Sequence, residues 1–176
     1  GEQFEYQRHP AKWENVLKFR KWMDEKKSLI SIKYGIITTV SIMNIFYLPK
    51  IVDYFLKIKK IEVLKMYPFY VASQNQHHSL ARLINTEDFL YLNPLSFPAF
   101  YNIQNMPDKL KHKVEQKLMD SKHSYRFNEI INYMWQNKST INSWKQFHAW
   151  TKRQDTFRKQ SFSQTFSEFN QLIDVN

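Results

Sequence analysis

Apolar positions change their spacing twice in the first third of the chain. Trp13, Val16, Leu17, Phe19 or Arg20, and Met23 recur at the three-and-four step that places a stripe on one face of a helix. Pro10 suits the first turn of that helix, and Lys26 and Lys27 suit its negative C-terminal end. Residues 28–45 are then rich in Ile, Val, Thr and Tyr and apolar on both faces, which predicts a central parallel strand covered on both sides. Leu48 and Pro49 open a second helix, with Ile51, Val52, Tyr54, Phe55 and Ile58 on its apolar side and Lys50, Asp53, Lys57 and Lys59 on its wet side. The order is helix, strand, helix, and the strand expected in front of it is missing. Because no methionine precedes Gly1, the chain reads as the middle of a longer protein.

Further along, residues 61–72 read as a strand or a strand pair interrupted by Pro68, residues 79–83 as a helical turn, and residues 89–92 as another strand. Asn93-Pro94 and Phe97-Pro98 frame a stiff loop, since each proline fixes its own dihedral and restrains its predecessor. After Met106-Pro107-Asp108 a long helix is expected through Leu110, Val114, Leu118 and Met119, and another over 127–135. Trp144, Phe147, Trp150 and Phe157, then Phe166, Phe169, Leu172 and Ile173, complete a helical C-terminal third. The expected class is α/β.

With 176 residues, 43% of them hydrophobic, the chain can bury one core. It has no cysteine, which excludes disulfides, thiolate zinc sites, cysteine nucleophiles and cysteine-ligated iron–sulfur clusters within these residues. That composition fits an intracellular setting, and a cytoplasmic location is expected. The longest apolar stretch, 34–48, carries Gly35, Thr38, Thr39, Ser41 and Asn44, so no membrane span is expected. The N-terminus lacks the pattern of a signal peptide. A net charge of +10 would attract phosphates or an anionic surface. The lysines, clustered at Lys26-Lys27, Lys57-Lys59-Lys60 and Lys109-Lys111-Lys113, are read first as solvated helix faces and second as a nucleic-acid footprint.

The common signatures GxGxxG, GxxxxGK[ST], HExxH and GxSxG do not occur. His77 and His78 are adjacent and lack a ligand partner at helical spacing, so no metal site is expected. Asp53, Glu62, Glu87 and Asp88 could supply paired carboxylates, but a solvated face is the preferred reading of them. The tract WKQFHAWTKRQDTFRKQSF interleaves aromatic and basic residues, as a single-strand nucleic-acid binder would. An amphipathic helix burying Trp144, Phe147 and Trp150 at three-residue steps has the same look, and is preferred.

The order of short motifs resembles the later half of a radical SAM protein carrying a twitch or SPASM-like C-terminal extension. A polar stretch with an arginine, GEQFEYQRHP with Arg8, precedes Trp13-Glu14-Asn15-Val16-Leu17. Thr39-Val40-Ser41-Ile42-Met43-Asn44 is similar to the family's strand ending in Asn, and Leu48-Pro49 to its next helix start. Leu92-Asn93-Pro94, Phe97-Pro98 and Met106-Pro107-Asp108-Lys109-Leu110-Lys111 continue the likeness, as do Phe147, Thr151, Asp155 and Arg158, and then Phe166-Ser167-Glu168-Phe169. The likeness covers nearly the full chain through short, degenerate motifs.

The resemblance implies half of a partial (β/α) barrel, with about three parallel strands and their covering helices, over residues 1–120, and a helical extension over 121–176. Ligands of such barrels sit at the C-terminal ends of strands. It further implies that Arg8 binds the carboxylate of S-adenosylmethionine and that Asn44 binds the same cofactor or the substrate. The competing structural roles are a surface ion pair for Arg8 and a strand-end turn for Asn44. The parent reaction would be reductive cleavage of S-adenosylmethionine and radical modification of a substrate such as a peptide. The [4Fe–4S] cluster belongs to a missing N-terminal half or partner chain, so this chain is expected to be inert alone. Phe19 stands where relatives usually have Asn, and the auxiliary-cluster cysteines are lacking too. The alternative is a basic nucleic-acid-binding module or a helical interaction module without catalysis.

Overall fold

The computed structural model describes residues 1–30, 36–59, 63–66, 89–137 and 141–173. The chain is mostly helical α/β. Three parallel strands, β1 (Ile36–Val40), β2 (Val63–Met66) and β3 (Phe89–Pro94), form a sheet in the order β1-β3-β2. Ile36 lies opposite Leu90 and Val40 opposite Pro94, while Val63 lies opposite Phe89 on the other side of β3. Val40, Leu90 and Leu92 are fully buried, but β1 is an edge strand with Ile37 57% exposed, not the central strand covered on both sides that its apolar run predicted.

Parallel strands were expected, but a barrel segment needs its strands neighbouring in chain order, and here β3 lies between β1 and β2. The strand predicted over 28–45 is shorter than its β-branched run. Helix α2 (Trp13–Ile30) extends into the start of that run, and after Val40 the chain turns through Ser41 into a 3-10 turn, Ile45–Tyr47. That turn delivers α3 (Leu48–Lys59), which starts where Leu48-Pro49 predicted it.

At the N-terminus the charged segment before Arg8 forms a short helix, α1 (Glu2–Gln7), that periodicity did not reveal. Its two glutamates lie in the first turn, where carboxylates favour the positive helix end. Helix α2 begins at Trp13 rather than Pro10 because Glu5 Oε1 accepts the Trp13 backbone N–H at 3.1 Å. That bond, with Lys12 beside it, holds the Glu5 carboxyl below its usual range. The apolar stripe of α2 is only partly covered: Phe19 is 63% and Trp22 47% exposed, and the two rings stack on each other at 5.9 Å.

The C-terminal part comprises α4 (Asp108–Met119), α5 (Asn128–Trp135), α6 (Ile141–Arg158), α7 (Phe162–Thr165) and α8 (Ser167–Ile173). One hydrophobic cluster runs from Tyr6, Val40 and Val52 through Leu110, Val114 and Ile130 to Phe147, Phe166 and Phe169, joining both parts of the chain. The lysines are not all on solvated faces. Lys111 is completely buried, donates to the Asn137 carbonyl at 2.9 Å and lies 5.1 Å from the Trp135 ring centre. Burial pulls its pKa down, against the raising effect of Asp108 at 3.8 Å. Asp53 likewise departs from an idle wet face. It pairs with Lys122 at 2.8 Å and His123 at 2.7 Å, and those hydrogen bonds hold its carboxyl below the usual range.

Candidate functional site

Arg8 and Asn44 line one cleft of about 510 Å³, which runs between α1, α2, α3 and the outer edge of β1. Its walls include Trp13, Val16, Ile37 and Tyr54, so it is largely apolar, and Ile37 is 57% exposed in it. Leu95 N–H donates to the Val40 carbonyl at 2.7 Å, which fixes the polar groups of Val40 and Thr38 toward β3. Those of Ile37 and Thr39 therefore face the open edge.

Asn44 closes the turn after β1. Its Nδ2 donates to the Thr39 carbonyl at 2.8 Å and to Gln7 Oε1 at 3.3 Å, and its Oδ1 accepts the Ser41 backbone N–H at 2.9 Å. Both amide hydrogens are thus engaged, and Oδ1 keeps one lone pair. Arg8 lies exposed one turn of chain away, with Nη2 3.4 Å from Thr39 Oγ1. Among the described residues it forms no ion pair. The strand-end role of Asn44 is present in these contacts.

A second cleft, of about 280 Å³, opens at the C-terminal ends of β1 and β3. Arg8 and Thr39 form its border with the first, and α6 supplies Trp150, Gln154 and Arg158. Sequence reading placed Asp155 and Arg158 in a motif without assigning them work. Asp155 Oδ1 accepts the Tyr6 hydroxyl at 2.7 Å, and both its carboxylate oxygens accept the Phe162 backbone N–H at 3.0 Å. Arg158 Nη1 donates to the Tyr6 carbonyl at 2.9 Å. Together they clamp α1, and so set where Arg8 emerges. The signal was the i, i+3 spacing of an acid and an arginine beyond a buried Phe147.

Burial is the main reason that Tyr6, Tyr47 and Tyr101 hold their protons tightly, and it pushes Tyr101 up to about 12 even though Arg158 and Trp150 oppose it. The unfolded chain releases such protons near 10.0, so the folded state binds more protons above that point and stability falls as pH rises. Alkaline titration should therefore leave stability intact below about pH 10 and erode it from there toward about 12. Phenolate absorbance should appear together with loss of helix signal. Tyrosines ionising one by one in a folded protein would contradict this.

Trp144, Phe147 and Trp150 divide along α6: Phe147 is fully buried, Trp144 half-buried, and Trp150 38% exposed at the second cleft. Of the three rings expected to be buried, only Phe147 is fully so. His77, His78, Glu62, Glu87 and Asp88, together with the helical turn expected over 79–83, lie outside the described residues. Among the described residues no three His, Asp or Glu side chains converge as a metal site would require, and no helix is long and apolar enough to cross a membrane. Comparison with protein-family models, curated proteins and solved structures finds no match to this chain.

Proposed function

We propose that this chain is the distal part of a radical SAM enzyme, with the cleft beside β1 forming one wall of the site for S-adenosylmethionine. The observation that carries the reading is the placement of Arg8 and Asn44 in one cleft at the C-terminal end of a parallel strand whose outer edge is open. In this reading β1 and β3 are the barrel strands, and β2, which comes between them in the chain but pairs on the far edge of β3, is an addition. A strand of an upstream segment would pair with the outward-facing groups of Ile37, beside the Thr39 carbonyl that Asn44 already caps, and would cover Val16 and Ile37.

The residues present fit the cofactor. The Arg8 guanidinium offers a fork of donors to the methionyl carboxylate. Asn44 can accept one hydrogen bond through Oδ1 while it braces the turn. When bound and reduced, S-adenosylmethionine supplies a 5′-deoxyadenosyl radical, which in a parent enzyme would abstract hydrogen from a substrate such as a peptide. The residues do not fit an iron–sulfur cluster, because there is no cysteine to ligate it, and this chain's part is confined to binding and positioning.

Two measurements test the reading. The coding sequence upstream of the Gly1 codon should contain, in frame, a Cys-x-x-x-Cys-x-x-Cys loop, and a stop codon there with no cysteine-bearing neighbour gene would remove the enzymatic reading. Titration of the chain with S-adenosylmethionine, followed by NMR, should move the Thr39 and Asn44 signals, and Arg8→Ala should weaken that response about tenfold, as loss of one charged hydrogen bond does. A basic nucleic-acid-binding module is the competing reading, favoured by the exposure of Phe157 and Trp150 beside Lys152 and Arg153 on α6. Oligonucleotide binding that falls steeply with salt, without any response to the cofactor, would select it.

A further inference from the structure

The second cleft has a composition that its structural duties do not explain. Two arginines from different elements border it, Arg8 after α1 and Arg158 at the end of α6, and no aspartate or glutamate lines it. Among the described residues neither arginine has an ion-pair partner. The nearest acid on the same helix, Asp155, spends its oxygens on Tyr6 and Phe162. Arg158 commits Nη1 to the Tyr6 carbonyl, which leaves the rest of a five-donor fork. Trp150 and Tyr101 contribute aromatic surface, and Met43 an apolar one.

Two guanidinium groups line one concave, partly apolar cleft, a setting that screens charge less than open water does. A ligand bearing negative charge complements them. The cleft, at about 280 Å³, is much larger than a lone inorganic ion requires. Its polar and apolar surfaces also occur side by side, which suits a molecule with a charged end and a flat body. Guanidinium forks match the planar oxygens of carboxylates and the tetrahedral oxygens of phosphates alike.

We propose that the cleft formed by Arg8, Arg158, Trp150 and Tyr101 binds an organic oxyanion, a carboxylate or phosphate attached to a flat aromatic or apolar body. The site adjoins the cofactor cleft, and Gln7, Arg8 and Thr39 line both. It goes beyond the cofactor reading and would give the substrate of this chain an anionic group. The oxyanion seats against the two arginines, and the body lies on Trp150, which Arg153 backs from 5.6 Å.

The test uses the chain as it is, with NMR detection of the Trp150 indole N–H. Hippurate serves as the aromatic carboxylate, adenosine monophosphate as the aromatic phosphate and inorganic phosphate as the bare ion. Saturable movement of the Trp150 and Tyr101 signals by hippurate alone assigns a carboxylate ligand, and by adenosine monophosphate alone a phosphate ligand. Gln154→Glu, a half-buried helix position, puts a like charge in the lining without touching the clamp, and should weaken binding about tenfold or more. Arg158→Lys keeps the charge and loses the fork, and should weaken it less. No response to either organic anion, a response matched by inorganic phosphate, or binding unchanged by Gln154→Glu would overturn the proposal. S-adenosylmethionine is titrated separately and read at Asn44, which lines only the first cleft, so either reading can fail while the other stands.

Discussion

Replacing Phe166 with alanine is expected to destabilise the protein by about 3–5 kcal/mol, the cost of removing a fully buried aromatic ring and leaving a cavity. Phe166 sits in the turn between α7 and α8, where its ring meets Tyr6 edge-on at 5.3 Å, stacks on Phe162 at 4.9 Å and lies 6.0 Å from Tyr47. Tyr6 belongs to α1, and Tyr47 to the 3-10 turn that follows Asn44. One side chain therefore ties the C-terminal helices to both segments that carry the candidate cofactor residues. In a chain of this size the loss should lower the melting temperature by roughly 6–20 °C. Phe157→Ala is the control: that ring is 81% exposed, and its loss should stay within about 0.5 kcal/mol. Calorimetry of the two variants decides the matter, and equal melting temperatures would mean that the ring cluster is not packed as described.

The difference between those two phenylalanines was legible only in part. Periodicity marks a helix and its apolar stripe, and it located α3, α4 and α5 within a few residues because each buries a face at the helical step. It cannot say how much of a stripe is covered. Phe157 continues the aromatic run of α6 yet lies in solvent, and Phe19 and Trp22 on α2 stay largely exposed while stacking on each other. Strand order was beyond the sequence for a related reason. β-Branching identifies β1, and a short apolar, aromatic run identifies β3, but the placement of β3 between β1 and β2 is a long-range pairing choice that no local pattern records. Helix α1 was missed because six residues are too few to show a period, and its stability comes from tertiary partners.

The candidate site was legible as two residues and unreadable as a place. Arg8 and Asn44 were chosen by resemblance, and they border the same cleft, yet sequence gave no sign that Asn44 spends both amide hydrogens on Thr39 and Gln7. A side-chain amide that closes a strand-end turn looks, in one dimension, like an amide offered to a ligand. The second cleft combines residues near positions 8, 40, 101 and 158, a juxtaposition fixed by the clamp between α6 and α1.

That clamp gives the second large effect. Asp155→Ala should cost about 2–4 kcal/mol, because it strands two donors at once: the hydroxyl of Tyr6, whose residue is 98% buried, and the Phe162 backbone N–H that starts α7. Tyr6→Phe removes only one donor and leaves the carboxylate its backbone partner, so it should cost about 1–2 kcal/mol. In a double-mutant cycle the two changes should be non-additive by about 1 kcal/mol or more, since both act on one hydrogen bond. Denaturant unfolding of the four proteins supplies the numbers. The consequence reaches the sites as well, since α1 is held to α6 by this bond and by Arg158, and Arg8 follows α1 directly. Loosening the clamp should then broaden the NMR signals of Arg8 and Thr39 before global unfolding begins, whereas Phe166→Ala should lower the stability of the whole core together. If Asp155→Ala proved no more costly than Phe157→Ala, the two ends of the chain would not be joined through this carboxylate, and neither cleft would be held in the form described.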